Sequence, residues 1–391
     1  MKTMYDFNKV INRNNTFSIQ NDFTKLRYGQ AGLLSFGISD MDFQAPPEIL
    51  ATLKQRVEHG VFGYSGWDCP EYKSSITTWY KQRFNYNLDC SLITYSPNVS
   101  YALSNLIKIF NPKHEPVTLF SPSYNGFFNM LSLNKIAWYS ISIVYCNKQY
   151  VIDYSALEEN CRKSKVLLLC NPNNPNGKVW QKEELTKIVE ICKRYNVFIV
   201  SDEMYMDFIH PPFSFTSLLQ VAESLDYINN TAVITSASKT FNTPGLGGAY
   251  TIINNSNIRN TFFELLKNQD NFIFAMALSI PCLITGYNNC ATWVDAVNEY
   301  IMENLNFTKQ FFHKNLPLLH FEIPHSGYFA WINCKNLNLT NQEIQNKLMA
   351  NGLGIPSGES YQEPTPYLRL NVGCPRAKLE LGLKKILNAF S

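Results

Sequence analysis

Apolar residues along this chain fall into short continuous runs, separated by longer stretches in which they recur at helical spacing. The runs LITYS (92–96), VTLFSP (117–122), VLLLCNP (166–172), VFIVSDE (197–203) and AVITS (232–236) are rich in β-branched and aromatic side chains and end in turn residues. They predict strands. Because hydrophobicity is continuous rather than alternating, both faces of each strand must be buried, which predicts a mostly parallel sheet covered by helices on both sides. The covering helices are also legible. VSYALSNLIKIF and KEELTKIVEICKRYN are apolar at helical spacing, and PPEILATLKQRVEHG opens on prolines and closes on Gly60. Past about residue 285 the pattern changes. GYFAWINC (327–334) and YLRLNVG (367–373) predict strands, Thr340-Asn341-Gln342-Glu343 is a capping box opening a helix that stops at Gly352, and AKLELGLKKILNAF predicts a last amphipathic helix. The expected organisation is a large α/β domain over 46–285, with a small α+β domain made of 286–391 and the N-terminal 1–45.

Composition narrows the classes. With 391 residues, 45% of them hydrophobic, the chain can bury a substantial core. A net charge of +3 without a basic run argues against a nucleic-acid partner. No apolar stretch approaches the length of a membrane span, and the start MKTMYDFNKVINRNN lacks a secretory pattern. The ten cysteines are scattered with no CxxC pair and several sit in apolar runs, as reduced core residues of a cytoplasmic protein do. The six histidines show no zinc-ligand spacing, so no metal site is expected, and His59 and His210 read as structural.

In an open parallel sheet, ligands bind beyond the carboxyl ends of the strands. The ends here are all polar. Asn98, Val99 and Ser100 open a helix after LITYS, and Tyr124 follows VTLFSP. Asn174 lies in NPNNPNG after VLLLC, Asp202 and Tyr205 end VFIVS, and Ser236, Ser238 and Lys239 end AVIT. Taken singly, each has a plain reading: a strand-end surface lysine, a helix-capping aspartate, a turn asparagine, a half-buried tyrosine. Five consecutive strand ends supplying an amine, a carboxylate, an amide, a phenol and a helix N-terminus are harder to explain that way. Together they suit pyridoxal phosphate, which needs an amine for its aldehyde, a carboxylate for its ring nitrogen and an anion site for its phosphate.

The chain resembles the fold-type I pyridoxal-phosphate enzymes of the aminotransferase superfamily, and within them the cystathionine β-lyase and cysteine-S-conjugate β-lyase group. YDFNKVINR, SDMDFQAPPEI, RVEHGVFGY, CNPNNPNGKVW, SDE, SKTFN and LRLNVGCPR carry the resemblance in order along nearly the whole chain. It implies a mostly parallel seven-stranded sheet and a homodimer. It implies that Lys239 carries the cofactor as a Schiff base, Asp202 pairs with the pyridine nitrogen, and Asn174 and Tyr205 lie beside the ring hydroxyl. Tyr124 would stack on the ring, with Asn98, Val99, Ser236 and Ser238 on the phosphate and Tyr64 reaching the phosphate of the partner subunit. Arg369 would grip the α-carboxylate of an amino-acid substrate, with Asn174 and Ser39 beside it. The implied reaction is carbon–sulfur β-elimination from cystathionine or a cysteine S-conjugate, giving a thiol, pyruvate and ammonia.

The chain departs from the group at three places. Tyr205 stands where histidine is usual, and Gly37 falls near a usual bulky aromatic, which would enlarge or reshape the substrate side. Gln20-Asn21 replaces Lys-Trp. Gly247 occupies the position at which many aminotransferases place a phosphate-binding arginine, an absence that sits better with the lyases. Tyr205 keeps an aminotransferase as the alternative, and a tailoring enzyme of specialised metabolism as a further one. A ligand-sensing regulator is a non-enzyme reading, disfavoured by the joint presence of Lys239, Asp202 and Arg369.

Overall fold

A computed structural model describes residues 5–391; Met1–Met4, the first part of the stretch read above for a secretory pattern, lie outside the described residues. Twelve strands form in chain order: β1 (Leu34–Ser35), β2 (Ile93–Ser96), β3 (Val117–Ser121), β4 (Trp138–Cys146), β5 (Gln149–Ile152), β6 (Val166–Cys170), β7 (Phe198–Asp202), β8 (Thr231–Thr235), β9 (Ala249–Ile253), β10 (Phe329–Asn333), β11 (Leu353–Gly354) and β12 (Tyr367–Asn371). The main sheet runs β2-β9-β8-β7-β6-β3-β4-β5. The stretch from β4 through β3, β6 and β7 to β8 is parallel. β9 is antiparallel to both β8 and β2, and β5 is antiparallel to β4.

The sheet therefore has eight strands, not the expected seven. The outermost, β5, folds back on β4 through Asn147 and Lys148, both at positive φ (51° and 62°). Of its residues only Ile152 is buried, so it left no apolar run to read. Elsewhere the physical expectation holds. Alternate residues of β6 supply two different cores. Val166, Leu168 and Cys170 face Ala102, Leu103, Leu106 and Ile107 of the helix Val99–Phe110. Leu167 and Leu169 join the core containing Leu185, Ile188 and Val189 of the helix Lys182–Tyr195. Burying each such side chain is worth roughly 1.5–3 kcal/mol, which is why the central strands show no polar alternation.

β10 pairs with β12, and β1 pairs in parallel with β11. Phe7 packs its ring against Phe43, Trp293 and Tyr300 at 5.1, 5.8 and 5.6 Å. The N-terminal segment thus packs on the C-terminal third of the chain. Between β1 and the helix Pro47–His59, residues 37–43 cross from one part to the other, held by side chains from several directions. Asn371 Nδ2 donates to the carbonyls of Ile38 (2.8 Å) and Asp40 (2.7 Å). Asn242 accepts from the Met41 amide (2.9 Å) and donates to the carbonyls of Met41 (2.9 Å) and Phe43 (2.7 Å). Gln20, buried, accepts from the Ile38 amide at 2.9 Å.

The turn after β6 is closed by the Gly177 amide donating to the Asn173 carbonyl at 2.8 Å. Gly177 has φ +69°, and a Cβ there would lie 2.5 Å from both the Ser326 carbonyl oxygen and Pro324 Cβ. Gly177→Ala should therefore cost more than about 2 kcal/mol, from left-handed strain and from overlap with backbone that has no room to move. Urea unfolding of the two proteins measures it, with the midpoint falling at unchanged slope.

Candidate active site

The polar ends of β2, β3, β6, β7 and β8 converge on one cavity of about 220 Å³, together with Ser39 of the crossing segment. Lys239 enters from the one-turn helix Ala237–Thr240, which follows β8 directly and is capped by Ser236. Its Nζ donates to the Ser39 carbonyl at 2.7 Å and to Ser39 Oγ at 3.0 Å. Part of the side chain borders the cavity, but protein encloses the amine, and burial lowers its pKa from 10.5 to about 8. Asp40 and Asp202 pull that value up and Arg369 pushes it down.

Asp202, at the end of β7, is 4% exposed and accepts from the Met204 amide at 3.2 Å. Burial raises its pKa from 3.8 to about 7, against the lowering pull of the Met204 amide and Lys239. A carboxylate in that condition favours a cationic or protonated partner. Tyr124 and Cys170 line the same cavity, as does Tyr205. The Tyr205 phenol is buried, its pKa is raised by burial, and its ring meets the edge of Tyr328 at 5.6 Å.

Arg369 rises from β12 beside this group. Nη1 donates to Asn174 Oδ1 and Nη2 to the Gly37 carbonyl, both at 2.9 Å. The guanidinium lies over Phe329 at 4.1 Å and Tyr361 at 4.8 Å. Its Nε is buried with no partner among the described residues. Leaving a buried donor unpaired costs about 1–3 kcal/mol, so the site is built to receive an acceptor there. A planar carboxylate matches that fork.

At the opposite end, Asn98 caps the helix Val99–Phe110 by accepting from the Tyr101 amide at 2.8 Å. Val99, Ser100 and Ser238 line the cavity beside it. First-turn amides without helical partners, at the positive end of the dipole, form an anion site. Ser236 Oγ donates to the Gly248 carbonyl at 2.6 Å and accepts from the Ser238 amide at 3.1 Å, so its proton is already committed. Gly247 has φ 69° and ψ −166°, a region open essentially to glycine alone, so its backbone excludes the arginine that other proteins carry there.

A Cβ at Gly37 would stand 2.0 Å from the Tyr28 hydroxyl, and one at Gly354 would stand 2.6 Å from Tyr28 Cε2. Tyr28 is wedged between the two glycines and fills the space that side chains at Gly37 and Gly354 would take. Tyr64 lies outside the cavity of its own chain, 87% exposed and packed on Phe274 at 4.4 Å with the rings tilted by 30°. Two residues not expected at the site belong beside it: Tyr328, whose hydroxyl donates to the Ser39 carbonyl at 2.8 Å, and Asp40. Both were visible, in GYFAW and SDMDF, but nothing in either segment told a wall residue from a strand residue. His210, read as structural, donates from Nε2 to the Gly327 carbonyl at 2.7 Å, and burial lowers its pKa to about 4.

An α/β sheet with a buried amine, a buried carboxylate and an anion-binding helix end at its switch region defines a class of phosphate-cofactor enzymes. The chain belongs to the aminotransferase class I and II family, whose pattern it matches over residues 31–386. It is 35% identical to Protein MalY of Escherichia coli over 99% of both chains. It is 31% identical to the cystathionine beta-lyase PatB of Bacillus subtilis, over 99% of this chain and 100% of that one. Cystalysin from Treponema denticola, whose crystal structure contains pyridoxal 5'-phosphate, superimposes with a TM-score of 0.91 at 26% identity, covering 99% of each chain.

The buried acid gives a test. The folded pKa of Asp202, about 7, lies above its ordinary 3.8, so the stability it contributes is complete below 3.8 and is lost as pH rises through 7. In cofactor-free protein, Asp202→Asn should gain thermal stability relative to the unchanged chain as pH rises from about 5 to about 8. Thermal unfolding of both proteins across that range measures it; a constant difference would mean that Asp202 titrates as it does in water.

Proposed function

We propose that this protein is a pyridoxal-phosphate-dependent carbon–sulfur β-lyase acting on cystathionine or a related cysteine S-conjugate. The reading is carried by Lys239 and Asp202 sharing one cavity with Asn174, which Arg369 binds while its own Nε stays buried and unpartnered among the described residues. Similarity to PatB supports the lyase chemistry. The residues present fit the cofactor. Asp202, raised toward neutrality, gains its counter-charge from a protonated pyridine nitrogen, and the first-turn amides with Ser238 take the phosphate. With the cofactor bound, Asn174 and Tyr205 would flank the ring hydroxyl and Tyr124 would lie against the ring.

When bound, the cofactor supplies an electron sink for charge developing at the substrate Cα. The chain does the rest. Arg369 fixes the α-carboxylate through Nε and its fork, with Asn174 and Ser39 at its side. Lys239, with a pKa near 8, is neutral often enough at physiological pH to take the Cα proton and basic enough to hold it. The bond between Cβ and sulfur breaks with its electron pair on sulfur, and the thiolate takes a proton as it leaves. Tyr205 is the observation that keeps transamination as the second reading.

We place the cofactor-binding domain at 46–285, with 286–391 and 1–45 forming the smaller one. A homodimer in which Tyr64 reaches the phosphate of the partner subunit accounts for the exposed Val61, Phe62, Tyr64, Phe274 and Met276. Among the described residues no helix is long and apolar enough to cross a membrane. The free cysteines, most of them buried, support a cytoplasmic location.

Purified protein supplied with pyridoxal phosphate should release thiol and pyruvate from cystathionine or cysteine S-conjugates, read by mass spectrometry. A keto acid retaining the whole substrate skeleton, with pyridoxamine phosphate, would indicate transamination instead. Lys239→Ala should lower turnover by about a thousandfold or more. Arg369→Lys keeps the charge but loses the fork, and should raise KM about tenfold to a hundredfold with a smaller change in kcat.

A further inference from the structure

Lys239 is bound to the crossing segment through Ser39, and the next residue is a carboxylate, Asp40. Arg13 Nη2 donates to Asp40 Oδ2 at 2.5 Å, while Arg13 Nη1 donates to Asp42 Oδ1 at 2.7 Å. Lys378 closes the arrangement by pairing with Asp42 at 2.5 Å. Asn371 holds the Asp40 carbonyl at 2.7 Å. Asp40 is therefore fixed at both its backbone and one carboxylate oxygen. Its other oxygen, Oδ1, is buried and has no partner among the described residues.

We infer that Asp40 is a positioning residue for Lys239: its unpartnered carboxylate oxygen is the counter-charge that holds the lysine as an ammonium once it has taken the substrate proton. This rests on the lyase reading above. In that step the neutral amine takes the Cα proton and becomes an ammonium. The electron pair of the C–H bond becomes the second bond between Cα and Cβ as sulfur departs with the pair of the Cβ–S bond. The ammonium then returns its proton to the thiolate. Between those two events a positive charge sits in a buried site, where it needs a fixed negative charge more than it would in water.

The surrounding groups leave that task to few candidates. From the end of β7 come Asp202 and Tyr205, and from around β10 and β12 come Tyr328 and Arg369. Asp202 is engaged at the ring nitrogen in the proposed complex, Arg369 is of like charge, and the two phenols are neutral. Of the charges acting on Lys239, Asp40 acts most strongly, ahead of Arg369 and Asp202. Arg13 holds Oδ2 of the carboxylate and leaves Oδ1 unpartnered, while Nζ rests on the preceding residue, Ser39, rather than on the carboxylate itself. The lysine remains free to move between its two duties.

Asp40→Asn removes the charge and leaves an amide oxygen for Arg13. In cofactor-free full-length protein, the rate at which added pyridoxal phosphate is captured, read by absorbance across pH, reports the neutral amine. The Asn variant should move its midpoint down by about one pH unit, and the acid limb of kcat/KM should move the same way. A unit of that kind corresponds to about a tenfold loss in the ability to hold the proton, and kcat should fall by a similar factor. Asp40→Glu should restore most of the midpoint, and Asp40→Ser repeats the measurement if the Asn variant does not fold. An unmoved midpoint in the charge-removing variants overturns the inference. Equal shifts in the Glu and Asn variants also overturn it, because they mark a steric role. Unchanged protein that captures the cofactor but releases neither thiol nor pyruvate defeats the lyase reading alone, since capture is measured without turnover.

Discussion

The structure turns on keeping one amine away from water without leaving it unbound. Lowering the Lys239 pKa from 10.5 to about 8 corresponds to on the order of 3 kcal/mol set against the charged form. That cost is tolerable only inside a scaffold whose core is already large, and β8 lies near the middle of the eight-stranded sheet with every residue buried. The short helix after β8 lets the lysine emerge at the strand's carboxyl end, and the crossing segment supplies its hydrogen-bond acceptors from the other side. The amine is thus shared between the sheet and a segment fixed by Asn371 and Asn242, so the positions of both parts are felt at one nitrogen.

A second group is displaced in the complementary direction. Burial brings the amine down toward neutrality and brings Asp202 up toward it, so each is close to the point where it exchanges a proton at ordinary pH. Neither condition stabilises the fold. Groups perturbed this way by burial in a cleft mark function, and here they lie in the same cavity. The unpartnered Nε of Arg369 belongs to the same pattern. It is a desolvated donor held between two aromatic rings, and its satisfaction comes from a ligand rather than from the protein.

Much of this could be read from residues alone. Buried parallel strands leave continuous apolar runs, and the polar residues that end those runs fall together because the topology aligns the ends. Lys239, Asp202 and Asn174 were therefore visible, and the helix Val99–Phe110 matched its apolar spacing residue for residue. What escaped the reading depends on contacts between distant segments. The hairpin strand β5 is solvated on most of its length and leaves no run. The glycine at 37 reads as a gap, yet the tyrosine filling it comes from a helix nine positions earlier, and only packing against Gly354 fixes that arrangement. Asp40 lies in the motif SDMDF, but its orientation depends on Arg13, twenty-seven positions before it.

The anion end of the cavity shows how a missing cation can be a backbone requirement. At φ 69° and ψ −166°, Gly247 occupies a conformation that side chains do not tolerate, and the next glycine has φ +83° with Ser279 Cβ 2.9 Å from where its own Cβ would be. This tight glycine pair presents the Gly248 carbonyl to Ser236 Oγ, which fixes the start of the lysine-bearing helix. Replacing Gly247 with arginine would disturb the turn that positions Lys239 before it could add a charge. A phosphate in this cavity must then be held by dipoles, by Ser238 and by whatever a second subunit brings. In the homodimer proposed above, exposed Tyr64 would be that supply, and the geometry of the lysine sets the limit on any charge its own chain can add.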